Sequence, residues 1–112
     1  MIMSISIKDL LEKHNINIID IRSIEKYNDN HIDGAKNIPM ILLLKEPSKY
    51  LEFDKTYYIY CQKGVNSIKT CIELTKKGYK VVNIIGGYEG WLFKRTYKYV
   101  LLIYLFKFLF VV

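Results

Sequence analysis

Short apolar runs alternate along the chain with segments of helical character. Runs rich in Ile, Val and Tyr lie at 16–21, 57–60 and 80–85, with a shorter one at 37–39. Such runs, bounded by polar or turn-forming residues, are typical of buried strands. Helices are predicted around these runs. The first is capped by Ser6 and ends by Asn15, and the others lie at 23–27, at 40–45, at 67–77 and in a short segment around Trp91. Strands that alternate with helices predict an α/β fold with a mostly parallel sheet.

The residue types at the predicted helix ends agree with these boundaries. Ser6 stands three residues before Asp9, which is a weaker form of the capping box. The Asn, Asp and Asn at 28–30 are turn formers and predict a turn after the second helix. Gly78 stands where a helix that ends near 77 needs a left-handed residue. These signals favour helices that are short and closely connected.

Size and composition are typical of a single globular domain. The chain has 112 residues, of which 51% are hydrophobic and 25% are charged. That length supports one core and leaves no room for a second domain. The two cysteines, Cys61 and Cys71, belong to no CxxC motif or Cys/His cluster. We therefore expect neither a disulfide framework nor a zinc site.

The positive charge is concentrated at the C-terminal end. The net charge is +6, yet residues 1–93 hold 13 Lys and Arg against 11 Asp and Glu, and the remaining cations are Lys94, Arg95, Lys98 and Lys107. This distribution indicates a basic tail and no nucleic-acid-binding face on the domain. Residues 1–13 lack the basic and apolar regions of a signal peptide, so we expect a cytoplasmic protein with reduced thiols.

Cys61 occupies a position that favours chemistry. It directly follows the predicted strand 57–60 and precedes a short loop that opens a helix. Successive backbone N–H groups in such a loop can surround one point as an anion-binding nest, and the helix dipole adds positive charge there. Both effects stabilise a thiolate, or the anionic part of a substrate. The pattern alone leaves open a second interpretation, in which Cys61 is a small buried core residue.

Other stretches of the chain follow one another in a characteristic order. They are Ile18-Ile-Asp-Ile-Arg22; Glu25-Lys-Tyr27 with His31-Ile-Asp-Gly-Ala35 and Asn37-Ile-Pro39; Tyr58-Ile-Tyr-Cys61 through Gly64 and Ser67; and Lys77-Gly-Tyr-Lys-Val81 followed by Gly86-Gly87 and Trp91. In order and spacing they resemble the motifs of single-domain rhodanese-like (thiosulfate sulfurtransferase-like) proteins. The resemblance covers residues 5–93, so we expect a rhodanese-like domain over 1–93 and a basic, then apolar, tail over 94–112.

The resemblance implies an open, mostly parallel sheet flanked by helices on both faces, with the loop at its carboxyl edge. It also implies that the Cys61 thiolate takes the sulfane sulfur of thiosulfate or a persulfide donor. The resulting persulfide is held by the loop, whose substrate-binding residues are Gln62, Lys63, Gly64, Val65, Asn66 and Ser67. A thiophilic acceptor, cyanide or a protein thiol, then removes the sulfur without a metal or organic cofactor. The alternative is a catalytically weak or inactive module of the same fold that binds or carries sulfur.

The loop departs from the family pattern at two positions. Asn66 and Gln62 stand where the family often carries arginine, so Lys63 is the one cation that the loop keeps. This favours a persulfide donor or a carrier role over thiosulfate. Cysteine phosphatases need an arginine six residues after the nucleophile, where this chain has Ser67, which argues against phosphatase chemistry. Arsenate reduction needs further thiols, and Cys71 is the sole other cysteine.

The remaining polar residues near the predicted site are expected to be structural. Asp20 and Arg22 end a strand near the carboxyl edge of the sheet, and we expect hydrogen bonds and an ion pair that lock neighbouring loops. Cys71 is expected on the sheet-facing side of its helix together with Ile68, Ile72 and Thr75. His31 is expected to organise a loop through a hydrogen bond.

The tail allows three interpretations. Residues 99–112 are apolar at 13 of 14 positions, with Lys107 the exception. The stretch is shorter than the roughly 20 apolar residues of a spanning helix. It could pack as a last helix or strand on the domain or in a dimer. It could anchor the protein at a membrane surface, where basic residues meet anionic lipid, although membrane contact is the least favoured interpretation. It could also result from a truncated or frameshifted reading frame.

Overall fold

A computed structural model describes residues 2–110 of the chain, without the side chain of residue 110. Strands and short helices alternate along it, as the apolar pattern predicts. The strands are β1 Met3–Ile5, β2 Asn17–Asp20, β3 Ala35–Asn37, β4 Thr56–Tyr60 and β5 Lys80–Ile84. The helices are α1 Ile7–Leu11, α2 Ile24–Asp29, α3 Met40–Lys45, α4 Val65–Lys76 and α5 Gly87–Phe110, with a 3-10 turn at Pro47–Lys49.

The five strands form one open, parallel sheet in the order β1-β5-β4-β2-β3. Strand β4 lies in the middle, paired in parallel with β2 on one side and β5 on the other. All carboxyl ends of the strands therefore meet at the same edge of the sheet. The residue after β4, Cys61, is placed at the centre of that edge, where open α/β sheets bind their ligands.

Helices cover both faces of the sheet, which confirms the predicted α/β architecture. Side chains alternate along β4, so Tyr57 and Ile59 join the core cluster that includes Leu74 of α4. Tyr60 points the other way and joins the cluster that includes Trp91 of α5. The sheet thus separates two apolar half-cores, and the three central strands, β2, β4 and β5, contribute to both.

Several elements differ from the prediction. Strand β1 was not predicted, because three residues are too few to show a periodicity, yet it pairs with β5. Helix α2 continues to Asp29, through most of the stretch predicted as a turn. Helix α4 begins at Val65 and not at Ser67, because Gly64 adopts a left-handed conformation (φ 104°) and turns the chain directly into the helix.

The buried face of α4 is also rotated relative to the prediction. Cys71 is fully buried as expected, but it shares that face with Ser67, Thr70 and Leu74. Ile68 and Ile72, which were expected beside Cys71, are exposed by 41% and 38%. The small side chains of Ser67 and Thr70 fit closely against the sheet, so they occupy the buried face in place of the two larger isoleucines.

Helix α5 is longer than the short segment predicted around Trp91. It runs for 24 residues, and its first turns pack on the domain through Tyr88 and Trp91. All side chains from 92 to 109 are exposed, so residues 99–109 do not pack on their own domain. Within residues 2–110, no helix combines the length and apolarity needed to cross a bilayer. The last two positions of the apolar tail, 111 and 112, lie outside the described residues.

Shortening the chain to residues 1–93 should leave the fold intact. Trp91 is the last buried side chain of the described residues, so the cut removes exposed apolar surface and no core. We expect the melting temperature to change by less than about 3 °C. Self-association, measured by analytical ultracentrifugation, should fall relative to the full chain. Loss of the cooperative thermal transition would contradict the predicted domain boundary at residue 93.

The turn between β5 and α5 constrains the chain after β4. Gly87 has a φ of 57°, and a Cβ added to it would lie 2.4 Å from the carbonyl oxygen of Cys61. Gly34 has a similar positive φ of 82°, but a Cβ there would meet nothing within 4 Å. The two glycines therefore share a conformational requirement and differ in the space around them.

Gly87→Ala should destabilise the protein more than the matched variant Gly34→Ala. Both variants place alanine in the left-handed region, at about 1–2 kcal/mol. Gly87→Ala also forces the turn away from Cys61, which adds about 1–3 kcal/mol. Urea unfolding measures both free energies. Equal losses in the two variants would show that the close approach at Gly87 does not matter.

Candidate active site around Cys61

The sulfur of Cys61 lies in a cradle of backbone N–H groups. Its Sγ accepts hydrogen bonds from the N–H of Gly64 at 3.1 Å and from the N–H of Ser67 at 3.2 Å. Both donors belong to the start of α4, which is twelve residues long, so its dipole places positive charge at the same point. Cys61 is only 5% exposed. This arrangement can stabilise a negative charge on sulfur without any side-chain cation.

A chain of buried hydrogen bonds connects the Cys61 sulfur to strand β5. The Sγ of Cys61 lies 3.3 Å from the Ser67 hydroxyl, which it can donate to as a thiol. That hydroxyl in turn donates to Oδ1 of Asn83 at 2.6 Å. Ser67 and Asn83 are both buried, so this pairing fixes the first turn of α4 against β5. Sequence reasoning missed Asn83, and its one signal was a polar residue inside the apolar run 80–85.

The backbone after β4 is held by the start of α5. The N–H of Tyr88 donates to the carbonyl oxygen of Cys61 at 2.9 Å, and the N–H of Glu89 donates to that of Gln62 at 3.0 Å. These are first-turn N–H groups, which have no partner within their own helix. Two helix starts therefore converge on Cys61, α4 on its sulfur and α5 on its carbonyl oxygen. The close approach requires the glycine at 87.

Arg22 and Asp20 form a buried ion pair beside the loop. The guanidinium group contacts both carboxylate oxygens, with Nη2 2.8 Å from Oδ2 and Nε 3.1 Å from Oδ1. The Tyr60 hydroxyl donates to the same carboxylate at 2.6 Å. Burial works against the charge on Arg22, but its hydrogen bond and attraction to Asp20 outweigh this and raise the pKa of Arg22. Burial, reinforced by the bond to Asp20, also raises the pKa of Tyr60 and keeps it protonated.

The same guanidinium group connects the ion pair to the loop. Its Nη1 donates to Oε1 of Gln62 at 3.1 Å, and its Nη2 donates to the carbonyl oxygen of Asn30 at 2.7 Å. The group also stacks over the Tyr88 ring at 4.0 Å. Arg22 therefore joins the end of α2, the start of α5 and the loop after β4. These contacts support the structural role predicted for Arg22 and Asp20, which stays a prediction.

A shallow pocket of about 300 Å³ opens over the sulfur. It is lined by Lys26, Cys61, Gln62, Lys63, Val65 and Asn66. The remaining predicted loop residues, Gly64 and Ser67, lie behind the sulfur and donate to it. Lys26 was not predicted, because it lies on α2 and only the packing of that helix brings it to the loop. No group of three His, Cys, Asp or Glu side chains among the described residues could hold a metal ion.

Two residues expected to be structural lie apart from this pocket. Burial raises the pKa of Cys71 to about 12, so its thiol stays protonated at neutral pH. Nδ1 of His31 lies 2.8 Å from the carbonyl oxygen of Tyr27, and the two rings stack with centroids 3.8 Å apart. Both residues therefore contribute to packing or to loop structure rather than to the pocket.

Known proteins share both the sequence pattern and the fold. The rhodanese-like domain family matches residues 5–94. Thiosulfate sulfurtransferase GlpE of Coxiella burnetii is 33% identical over 84 residues, which cover 74% of this chain and 78% of that protein. A putative sulfur carrier protein of Bacillus subtilis, YrkF, is 35% identical over 77 residues, which cover 68% of this chain and 41% of that protein.

A solved structure gives the same result. The rhodanese-related protein of Thermoplasma volcanium superposes with a TM-score of 0.75 at 30% identity, over 82% of this chain and 92% of that chain. Sequence, fold and topology thus agree over most of the chain. The chain belongs to the rhodanese-like domain family.

Proposed function

We propose that the protein is a sulfurtransferase that moves sulfane sulfur from thiosulfate or a persulfide donor to a thiophilic acceptor through a persulfide on Cys61. The observation that carries this proposal is the pair of backbone N–H groups, from Gly64 and Ser67, that converge on the Cys61 sulfur. Sulfurtransferase and sulfur-carrier relatives support the general class of reaction.

In the first half of the reaction, the Cys61 thiolate attacks the outer sulfur of the donor. With thiosulfate, a new S–S bond forms on Cys61 while the bond between the two donor sulfurs breaks, and sulfite leaves with the electron pair. The N–H groups of Gly64 and Ser67 stabilise the thiolate before attack, so no general base is needed. The pocket over the sulfur gives the donor its approach.

In the second half, a nucleophilic acceptor attacks the outer sulfur of the persulfide. Cyanide leaves as thiocyanate, and a thiolate leaves as a new persulfide. In both cases the Cys61 thiolate is regenerated with the electron pair of the broken S–S bond. The nest that stabilises the thiolate makes it a good leaving group, so the same N–H groups serve both halves.

A carrier role is the second candidate. Gln62 and Asn66 bring no charge to the loop, and a relative of similar sequence is itself named a putative sulfur carrier. A carrier would form the same persulfide but release it only to a specific protein thiol. We propose a cytoplasmic location for either activity, a reducing compartment in which the free thiols of Cys61 and Cys71 stay reduced.

Incubation with thiosulfate should add one sulfur atom to the protein. Intact-mass spectrometry should show this gain in the wild-type chain and in Cys71→Ala, and no gain in Cys61→Ser. Cyanide should then restore the original mass and release one equivalent of thiocyanate. If thiosulfate adds nothing, glutathione persulfide is the second donor to test. A sulfur added equally to Cys61→Ser, or a folded protein that accepts none from either donor, would contradict the proposal.

Alkylation should distinguish the two cysteines in the folded protein. Iodoacetamide at pH 7.5 should modify Cys61 at least about 100-fold faster than Cys71, because burial raises the pKa of Cys71 to about 12 and leaves it without reagent access. Peptide mapping measures both rates, and urea should abolish the difference. Comparable rates in the folded protein would remove the basis for Cys61 as the nucleophile.

A further inference from the structure

The charged side chains that line the pocket over Cys61 are all positive. Of the six described residues that line it, two are charged, and both are lysines, Lys26 and Lys63. They come from different elements, since Lys26 belongs to α2 and Lys63 to the loop after β4. Neither forms an ion pair with a carboxylate of the described chain, residues 2–110. Both ammonium groups are therefore available to an anion that enters the pocket.

The backbone holds Lys26 in a fixed relation to the loop. Its carbonyl oxygen accepts the N–H of Asn30 at 3.2 Å, and the carbonyl oxygen of Asn30 accepts Nη2 of Arg22 at 2.7 Å. Through Nη1, the same guanidinium group binds the side chain of Gln62 at 3.1 Å. Arg22 thus holds both the end of α2 and the loop after β4, and this fixes the backbone position of Lys26 relative to the loop.

We infer that Lys26 and Lys63 make this site selective for anionic sulfur donors, and that Lys26 is a specificity-determining residue. The inference rests on the proposed function in that the bound anion is a sulfur donor. Lysine side chains are flexible, so their ammonium groups can move to contact a small anion such as thiosulfate, which carries two negative charges. A pocket of one sign also raises the local concentration of anions. The charge absent at Gln62 and Asn66 is thus supplied in part by α2.

The charge preference can be measured without any sulfur transfer. Iodoacetate and iodoacetamide alkylate the same thiolate and are similar in size, but only iodoacetate is negatively charged. The ratio of their rate constants at Cys61 therefore reports the electrostatic preference of the pocket. Lys80 provides a matched control, since it is an exposed lysine at the start of β5, at the opposite edge of the sheet.

In the full chain, Lys26→Gln should lower the iodoacetate-to-iodoacetamide ratio by about threefold, an effect of the size expected for one surface charge. The rate with iodoacetamide should change by less than twofold, and Lys26→Arg should keep the wild-type ratio. Lys80→Gln should leave the ratio unchanged. Added salt at 0.5 M should bring the wild-type ratio toward that of Lys26→Gln, because it screens the charge. An unchanged ratio in Lys26→Gln, or an equal drop in Lys80→Gln, would overturn the inference.

Turnover gives the second readout. With thiosulfate as donor and cyanide as acceptor, Lys26→Gln should raise the KM for thiosulfate by about three- to tenfold and change kcat by less than twofold. A fall in kcat without a change in KM would overturn the specificity role. If the wild-type chain accepts sulfur neither from thiosulfate nor from glutathione persulfide, the proposed function fails, while the alkylation ratio still decides whether the pocket selects anions.

Discussion

The structure depends on the convergence of two helix starts on a single residue. Helix α4 directs the N–H groups of Gly64 and Ser67 at the sulfur of Cys61, while α5 directs the N–H of Tyr88 at its carbonyl oxygen. Each donor would otherwise be an unsatisfied first-turn group. The convergence fixes both the position of the sulfur and the field around it. It needs backbones to approach closely, which is why a Cβ on Gly64 would lie 3.3 Å from the nitrogen of Gly86.

A buried ion pair extends this constraint across the carboxyl edge of the sheet. Arg22 contacts Asp20, Gln62 and Asn30, so strand β2, the loop and the end of α2 are held by one planar group. Its five N–H donors in a fixed plane suit this task better than a lysine would. Breaking such a pair on one side typically costs about 3–5 kcal/mol, because a buried charge remains. The loop therefore gains its rigidity from a network that need not touch the substrate.

Sequence reasoning predicted the α/β fold, and the place of Cys61 directly after β4, because both follow from local patterns. The role of Cys61 as the nucleophile stays a prediction. A strand of Tyr and Ile that runs into Cys61 and Gly64 has few other structural solutions in an α/β chain. It missed Asn83, whose pairing with Ser67 depends on strand order, and Lys26, whose relevance depends on where α2 packs. It also missed the length of α5, because a tail that is apolar at 13 of 14 positions shows no helical periodicity. The information missing for Asn83 and Lys26 is tertiary, and that missing for α5 is local.

We propose that sulfane sulfur passes through Cys61, and isotopic labelling tests this route most directly. Thiosulfate labelled only in its outer sulfur should transfer the label first to the Cys61 peptide and then, on addition of cyanide, to thiocyanate, while the released sulfite carries none. In Cys61→Ser, both transfers should be absent. Label that reaches thiocyanate at the same rate in wild type and Cys61→Ser, or label that attaches elsewhere on the chain, would contradict the account.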